Sequence, residues 1–202
     1  MLKIKPKTMK KLLLLLFLIP VLAFAQLRDS VYVKNSIYEL VYNENLEEPL
    51  WVKYTVQCPN GTASREGMDF YTDKLIHTSD AKDYVSNVYD KGHMAPAADF
   101  NCTKEMLFLT FSYLNCSMQN QYLNRGVWKS LETQEREWAK QEQVTVLINV
   151  VFNKSCIKVP TGATVPIGYY KTIHLVKSNK TYKYYFVNDK PKTPSINDYL
   201  VK

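Results

Sequence analysis

The chain has 202 residues, with 26 Lys and Arg against 19 Asp and Glu, giving a formal net charge of +7 and a pI near 9.1. No repeat, low-complexity tract or Gly/Ser-rich linker divides it, and apolar residues run through its length, which argues against a multi-domain array and for one domain with a substantial core. The basic balance is misleading, because much of it sits in the first eleven residues.

Lys3, Lys5, Lys7, Lys10 and Lys11 precede an apolar run, Leu12 to Ala25, that is interrupted by Pro20 and closes on Ala23-Phe24-Ala25. This is the pattern of a secretory signal peptide, too short and too broken for a membrane span, with cleavage expected after Ala25. Residues 26–202 are then a single domain of 177 residues, secreted or periplasmic, with no stable membrane association after the cut. Five lysines leave with the leader, so 21 basic residues face 19 acidic ones, a net charge of +2. Overall charge therefore gives little support for a polyanionic partner, and any anion site has to be local.

The exported chain carries Cys58, Cys102, Cys116 and Cys156, enough for two disulfides in any of three pairings. No close C-x-x-C pair points to zinc, and no cysteine has a histidine beside it in sequence to suggest a nucleophilic thiol.

Further elements follow in chain order. "LWVKYTV" (50–56) reads as a strand and runs into the turn-rich "CPNGTASREG". "EMLFLTF" (105–111) and "VTVLINVVF" (144–152) read as buried strands. Between them "NRGVWKSLETQEREWAKQ" (124–141) places Val127, Leu131, Gln134 and Trp138 at helical spacing. "YKTIHLVK" and "TYKYYFVN" form a hairpin across "SNK", and the late aromatics belong to the core rather than to a base-stacking surface. Hairpins with one prominent helix give an α+β domain.

Two stretches carry chemistry. In "YDKGHMAPAADF" (89–100), Gly92 permits close backbone approach, His93 can take a proton near neutral pH, and Lys91 offers a cation for phosphate. In "LNCSMQNQYLNRGVWKSLE" (114–132), Asn124 opens the helix, and Asn124, Trp128, Glu132 and Arg136 recur at i+4 along one side. Read alone, this row is a helix cap, a packed tryptophan and a solvated ion pair.

Together the two stretches resemble the DNA/RNA non-specific endonucleases of the ββα-metal (His-Me finger) type, whose blocks read D-R-G-H-x-A-P-A-A-D and S-N-x-x-P-Q-x-x-x-L-N-x-x-x-W-x-x-L-E. The resemblance implies a ββα-metal core, with a central mainly antiparallel sheet flanked by helices. It implies hydrolysis of DNA and RNA, with His93 as general base and Asn124 as protein ligand to one divalent ion, magnesium, with manganese or another divalent ion as a substitute. By the same carry-over Glu132 orients water held by the ion, Arg136 and Lys91 contact phosphate, and Asp90 and Asn115 buttress the site. Lys91 stands where the family has arginine, and Leu114 and Met118 replace its serine or threonine and its proline. These departures keep two rivals open: a catalytically weak or inactive pseudonuclease that binds nucleic acid, and a phosphodiesterase for small substrates.

Overall fold

The computed structural model describes residues 26–201, so the expected leader and its cleavage point lie outside the described residues. In chain order the strands are β1 (Val31–Lys34), β2 (Tyr38–Asn43), β3 (Glu48–Thr55), β4 (Tyr89–His93), β5 (Cys116–Asn120), β6 (Val144–Val151), β7 (Gly168–Leu175) and β8 (Lys180–Val187). Six of them form an antiparallel sheet in the order β1-β2-β3-β6-β7-β8, while β4 and β5 pair with each other as a separate antiparallel ribbon. The α+β class and the mainly antiparallel sheet are as expected. The ribbon and all the helices longer than one turn are inserted between β3 and β6.

Side chains on a strand alternate between faces, and the large sheet buries one of its faces by that rule. Val144, Val146, Ile148 and Val150 point inward from β6, and Tyr169, Lys171, Ile173 and Leu175 from β7. Tyr184 and Phe186 do the same from β8, so the late aromatics are core, as predicted. Leu123, Val127, Trp128 and Leu131 cover this face from the helical segment above it.

The ribbon is anchored to the sheet by side chains that act as a substitute strand along β5. Glu48 Oε1 accepts the Met118 N–H at 2.7 Å, Asn188 Nδ2 donates to the Met118 carbonyl at 2.8 Å, and Asn188 Oδ1 accepts the Asn120 N–H at 2.7 Å. Every residue of β5 is buried, so its polar backbone needs these partners.

Two expected elements differ. "EMLFLTF" is not a strand but part of α1 (Lys104–Thr110), started by Thr103, whose side chain accepts the Met106 N–H at 3.2 Å. A short apolar run has no readable period, and here the cap decides. The second helix begins earlier than Asn124. A first turn, α2 (Gln121–Leu123), is capped by Asn120; one wide, kinked turn, Asn124–Trp128, follows, in which Gly126 leaves the helical conformation (φ −102°, ψ −118°); and α3 (Lys129–Ala139) continues from it. The wide turn breaks the i+4 row: Trp128 is fully buried in the core. Because Asn120 takes the capping role, the Asn124 side chain is free for another.

Only one of the two expected disulfides forms among the described residues. Cys58 bonds Cys102, while Cys116 and Cys156 are thiols. The bond brackets the segment that contains Arg65, Lys91 and His93. No helix among the described residues is long and apolar enough to cross a membrane.

Candidate active site

β4 ends at His93, and the backbone there is tightly held. A Cβ on Gly92 would lie 2.5 Å from the Cβ of Gln119, so the ribbon closes at that point only because the residue is glycine. Beyond the histidine, the buried Asn115 grips the chain: its Oδ1 accepts the Ala95 N–H at 2.8 Å, and its Nδ2 donates to the carbonyls of Ala95 and Thr110 at 2.9 and 3.0 Å. The imidazole sits between Phe70 and Phe111, with ring centroids 4.7 and 5.0 Å away. Its Nε2 is enclosed without a partner, which leaves Nδ1 as the ring nitrogen able to serve the cleft. Burial, reinforced by the charge of Arg65, depresses the pKa of His93 to about 4, so the ring is neutral at pH 7.

Asn124 meets Asp90 across the ribbon. Its Nδ2 donates to Asp90 Oδ2 at 2.9 Å, and Arg125 holds the same carboxylate through Nε at 2.8 Å and a second nitrogen at 2.5 Å. With its amide nitrogen engaged, Asn124 is left with Oδ1 as its free group, an uncharged oxygen donor.

From α3 come Glu132 and Arg136. Burial pushes the pKa of Glu132 up to about 7; the neighbouring Glu135 adds to the rise, while Lys171 and Arg136 oppose it. Arg136 donates to Asp99 Oδ1 at 3.0 Å and to Thr133 Oγ1 at 2.9 Å. Asp99 is fully buried, and that burial holds its carboxyl well above the usual range against the pull of Arg136. Beneath these groups Glu135 and Lys171, both enclosed, pair at 2.8 Å.

His93, Asn124, Glu132 and Arg136 converge on one cleft of about 280 Å3, walled on one side by Pro96 and Ala97. The structure thus brings together four side chains singled out in the sequence, and it places Asp90 and Asn115 directly behind two of them. Lys91 is elsewhere. Its ammonium bonds Asp69 at 3.0 Å and lies 5.4 and 5.7 Å from the rings of Phe70 and Tyr113, outside the cleft lining. Three cations that sequence reasoning missed line the cleft instead: Arg65, Arg125 and Lys129.

A family model described as DNA/RNA non-specific endonuclease matches residues 24–202. The chain belongs to that family. It is similar to the mitochondrial endonuclease G of Bos taurus, 28% identical over 111 residues that make up 52% of this chain and 37% of the bovine one. The nuclease of Serratia marcescens is 26% identical over 164 residues, 74% of this chain and 60% of that protein. The matched segments therefore span only part of these relatives. Among solved structures, a chain from an EndoG/EndoGI complex superposes with a TM-score of 0.73 at 25% identity, covering 89% of this chain and 82% of that one.

Membership of the nuclease family makes the missed cations intelligible. Arg65 lies in the turn-rich loop after β3, in "SREG", where no periodicity marks it. Its only sequence signal was a basic residue within the segment that the two cysteines bracket. Arg125 and Lys129 were inside the quoted helix block but off the i+4 row, and the wide turn at Asn124–Trp128 places them on the cleft.

Proposed function

We propose that this family member is an exported endonuclease that hydrolyses phosphodiester bonds of DNA and RNA with little sequence preference, using one divalent ion, magnesium by preference. The observation that carries the reading is the convergence of the His93 imidazole and the Asn124 carboxamide, far apart in sequence, on a cleft also lined by Glu132, Arg136, Arg65 and Lys129.

The residues fit a hard cation held by few protein ligands. Asn124 offers a neutral oxygen that Asp90 keeps in place, Glu132 supplies a carboxyl on the same cleft, and no group of three His, Cys, Asp or Glu side chains among the described residues forms a closed cage. Magnesium prefers oxygen donors and retains waters and substrate phosphate in its shell. When bound, it would neutralise charge on the phosphate and on the departing oxygen.

The protein's own groups do the rest. His93, uncharged at neutral pH, accepts a proton from the attacking water at Nδ1. An anionic substrate beside the ring offsets the field of Arg65 and raises the proton affinity of that nitrogen when it is needed. Arg136, fixed by Asp99, and Arg65 take non-bridging phosphate oxygens, and Glu132 holds water by hydrogen bonds. None of these contacts reads a base, which accounts for weak sequence preference. The leader supports export, and N-terminal sequencing of the exported protein should begin at Gln26.

The test is incubation of the protein from Gln26 onward with plasmid DNA, RNA and a dinucleotide, in magnesium or in excess chelator. Both polymers should be cut in magnesium only, and His93→Ala should lower turnover by about 10²- to 10⁴-fold. Near-normal cleavage by that variant would overturn the role of His93. Asn124→Ala should weaken the magnesium response together with turnover. Cleavage of the dinucleotide alone would favour a small-substrate phosphodiesterase, and binding without cleavage a pseudonuclease.

A further inference from the structure

The cleft does not end at Asn124. Arg125 lines it and also lines an adjoining groove of about 390 Å3, formed by Tyr122, Ser130, Lys190, Lys192 and Thr193. The groove's lining has no carboxylate and three cations: Arg125, already paired with Asp90, and Lys190 and Lys192, unpaired among the described residues. Tyr122 is 54% exposed although it sits at the start of the site helix, and the Lys190 ammonium lies 5.2 Å from its ring centroid. A half-exposed aromatic among lysines, opening directly onto the cleft, has no role in the cleavage chemistry.

The groove is built, not a loose edge. Its far wall follows β8, after which Asn188 ties the chain to β5 and to the segment before β7, with Nδ2 donating to the carbonyls of Met118 and Pro166 at 2.8 and 2.9 Å, and to the cap of α2, with Oδ1 accepting the Asn120 N–H at 2.7 Å. At its other end the Thr193 carbonyl accepts the Tyr199 hydroxyl at 2.9 Å, and the Thr193 hydroxyl donates to Asp198 at 2.7 Å. The backbone that carries the two exposed lysines is thus anchored at both ends. Lys190 and Lys192 also border a second depression of about 490 Å3 across the same rim, but that one holds Asp189 and Asp198, whose charges oppose phosphate there, whereas the side of Tyr122 and Arg125 has no carboxylate in its lining.

We propose that this groove is a strand-holding subsite: a single-stranded stretch of the nucleic acid being cut leaves the cleft past Arg125, pairs its phosphates with Lys190 and Lys192, and rests a base against Tyr122. The inference builds on the nuclease reading and extends it to how the polymer is held. A row of cations with an exposed ring is the means by which proteins hold unpaired strands regardless of sequence, since every base has a π-face. A duplex would present its backbone to the lysines but keep its bases from the ring. The groove therefore favours unpaired DNA or RNA.

The test separates binding from cutting. In His93→Ala protein, fluorescence anisotropy measures affinity for a labelled single strand of about 12 nucleotides and for a duplex of the same length. Adding Lys190→Ala with Lys192→Ala should weaken single-strand binding about tenfold and lower the slope of log affinity against log salt by about 1.4, the share of two phosphates. Tyr122→Ala should cost about tenfold with the salt slope unchanged. With His93 intact, the same substitutions should leave dinucleotide cleavage unaltered. Unchanged single-strand affinity in both variants would overturn the subsite, as would a duplex that binds more tightly and is equally sensitive to them. Failure of the unsubstituted protein to cut anything in magnesium would instead sink the nuclease reading, whatever the anisotropy shows.

Discussion

Glu132 and Glu135 lie three residues apart on α3, yet one looks into the cleft and the other into the core. Glu135 is fully enclosed and has partners for its charge: the Lys171 ammonium lies 2.8 Å from Oε1, and the Tyr54 hydroxyl donates to Oε2 at 2.8 Å. Lys171 also lies 4.4 Å from the Trp128 ring centroid. Glu132 is partly exposed to the cleft and has no ion pair among the described residues; desolvation of its enclosed part raises its proton affinity, with Glu135 adding to the rise and Lys171 and Arg136 opposing it. A charge that is buried with its partners joins helix to sheet, whereas one held without them stands ready for an incoming cation, water or substrate. The first should govern stability and the second activity.

The largest expected effect breaks the core side of this contrast. Lys171→Met leaves the Glu135 carboxylate enclosed without its cation and should destabilise the fold by about 3–5 kcal/mol, measured by urea unfolding. Adding Glu135→Leu removes the stranded charge and should recover most of that loss, because an apolar pair of similar volume is often as stable as the ion pair it replaces. A loss below about 1 kcal/mol for Lys171→Met would show that the pair does not hold the helix to the sheet.

A smaller effect sharpens the same point. Tyr54→Phe keeps the ring packed against Phe100 and removes only the hydroxyl that donates to Glu135. A buried hydrogen bond to a charged group contributes about 1.5–3 kcal/mol, so a loss near 2 kcal/mol is expected, with cleavage nearly unchanged. A fall in turnover much larger than the fall in stability would mean that the core network reaches into the cleft.

How far the sequence could be read follows from the same division. His93 and Asn124 could be singled out only because two contiguous blocks together resemble the endonuclease family; read alone, their residue types suggest a packed histidine and a helix cap. Asp90 and Asn115 lie in those blocks too, and the structure sets all four around or behind one cleft. The strands β3, β6, β7 and β8 were legible from β-branched and aromatic runs. Lys171 was not, since it occupies an inward position of β7 between Tyr169 and Ile173, where alternation predicts an apolar side chain; its partner Glu135 comes from a helix that the strand pattern says nothing about. Arg65 was hidden in a loop brought to the cleft by long-range packing. The wide turn at Asn124–Trp128 also escaped, because a 3.6-residue period assumes a regular helix, and that irregularity sends Trp128 to the core while Asn124 keeps to the cleft.

The smallest effect tests the cleft side, and its sign separates Glu132 from its neighbours. Folding raises the pKa of Glu132 from 4.5 to about 7, so between those values the folded protein binds the proton that the unfolded chain has released. Its contribution to stability is therefore present in full below about pH 4.5 and is lost as pH rises towards 7. His93 runs the other way: its pKa falls from 6.5 to about 4, so its contribution is present above 6.5 and lost as pH drops through 4. In the unsubstituted protein the two slopes oppose each other across the shared window. Glu132→Gln removes only the falling one. In metal-free protein, the stability of the variant relative to the parent should climb from about pH 4.5 to 7, reaching a gain of about 1–2 kcal/mol once the part-exposure of the side chain is discounted. Its activity should drop although its stability has risen. A difference curve that stays flat across that range would mean that Glu132 is as well answered in the fold as Glu135, and the contrast between the two carboxylates would be lost.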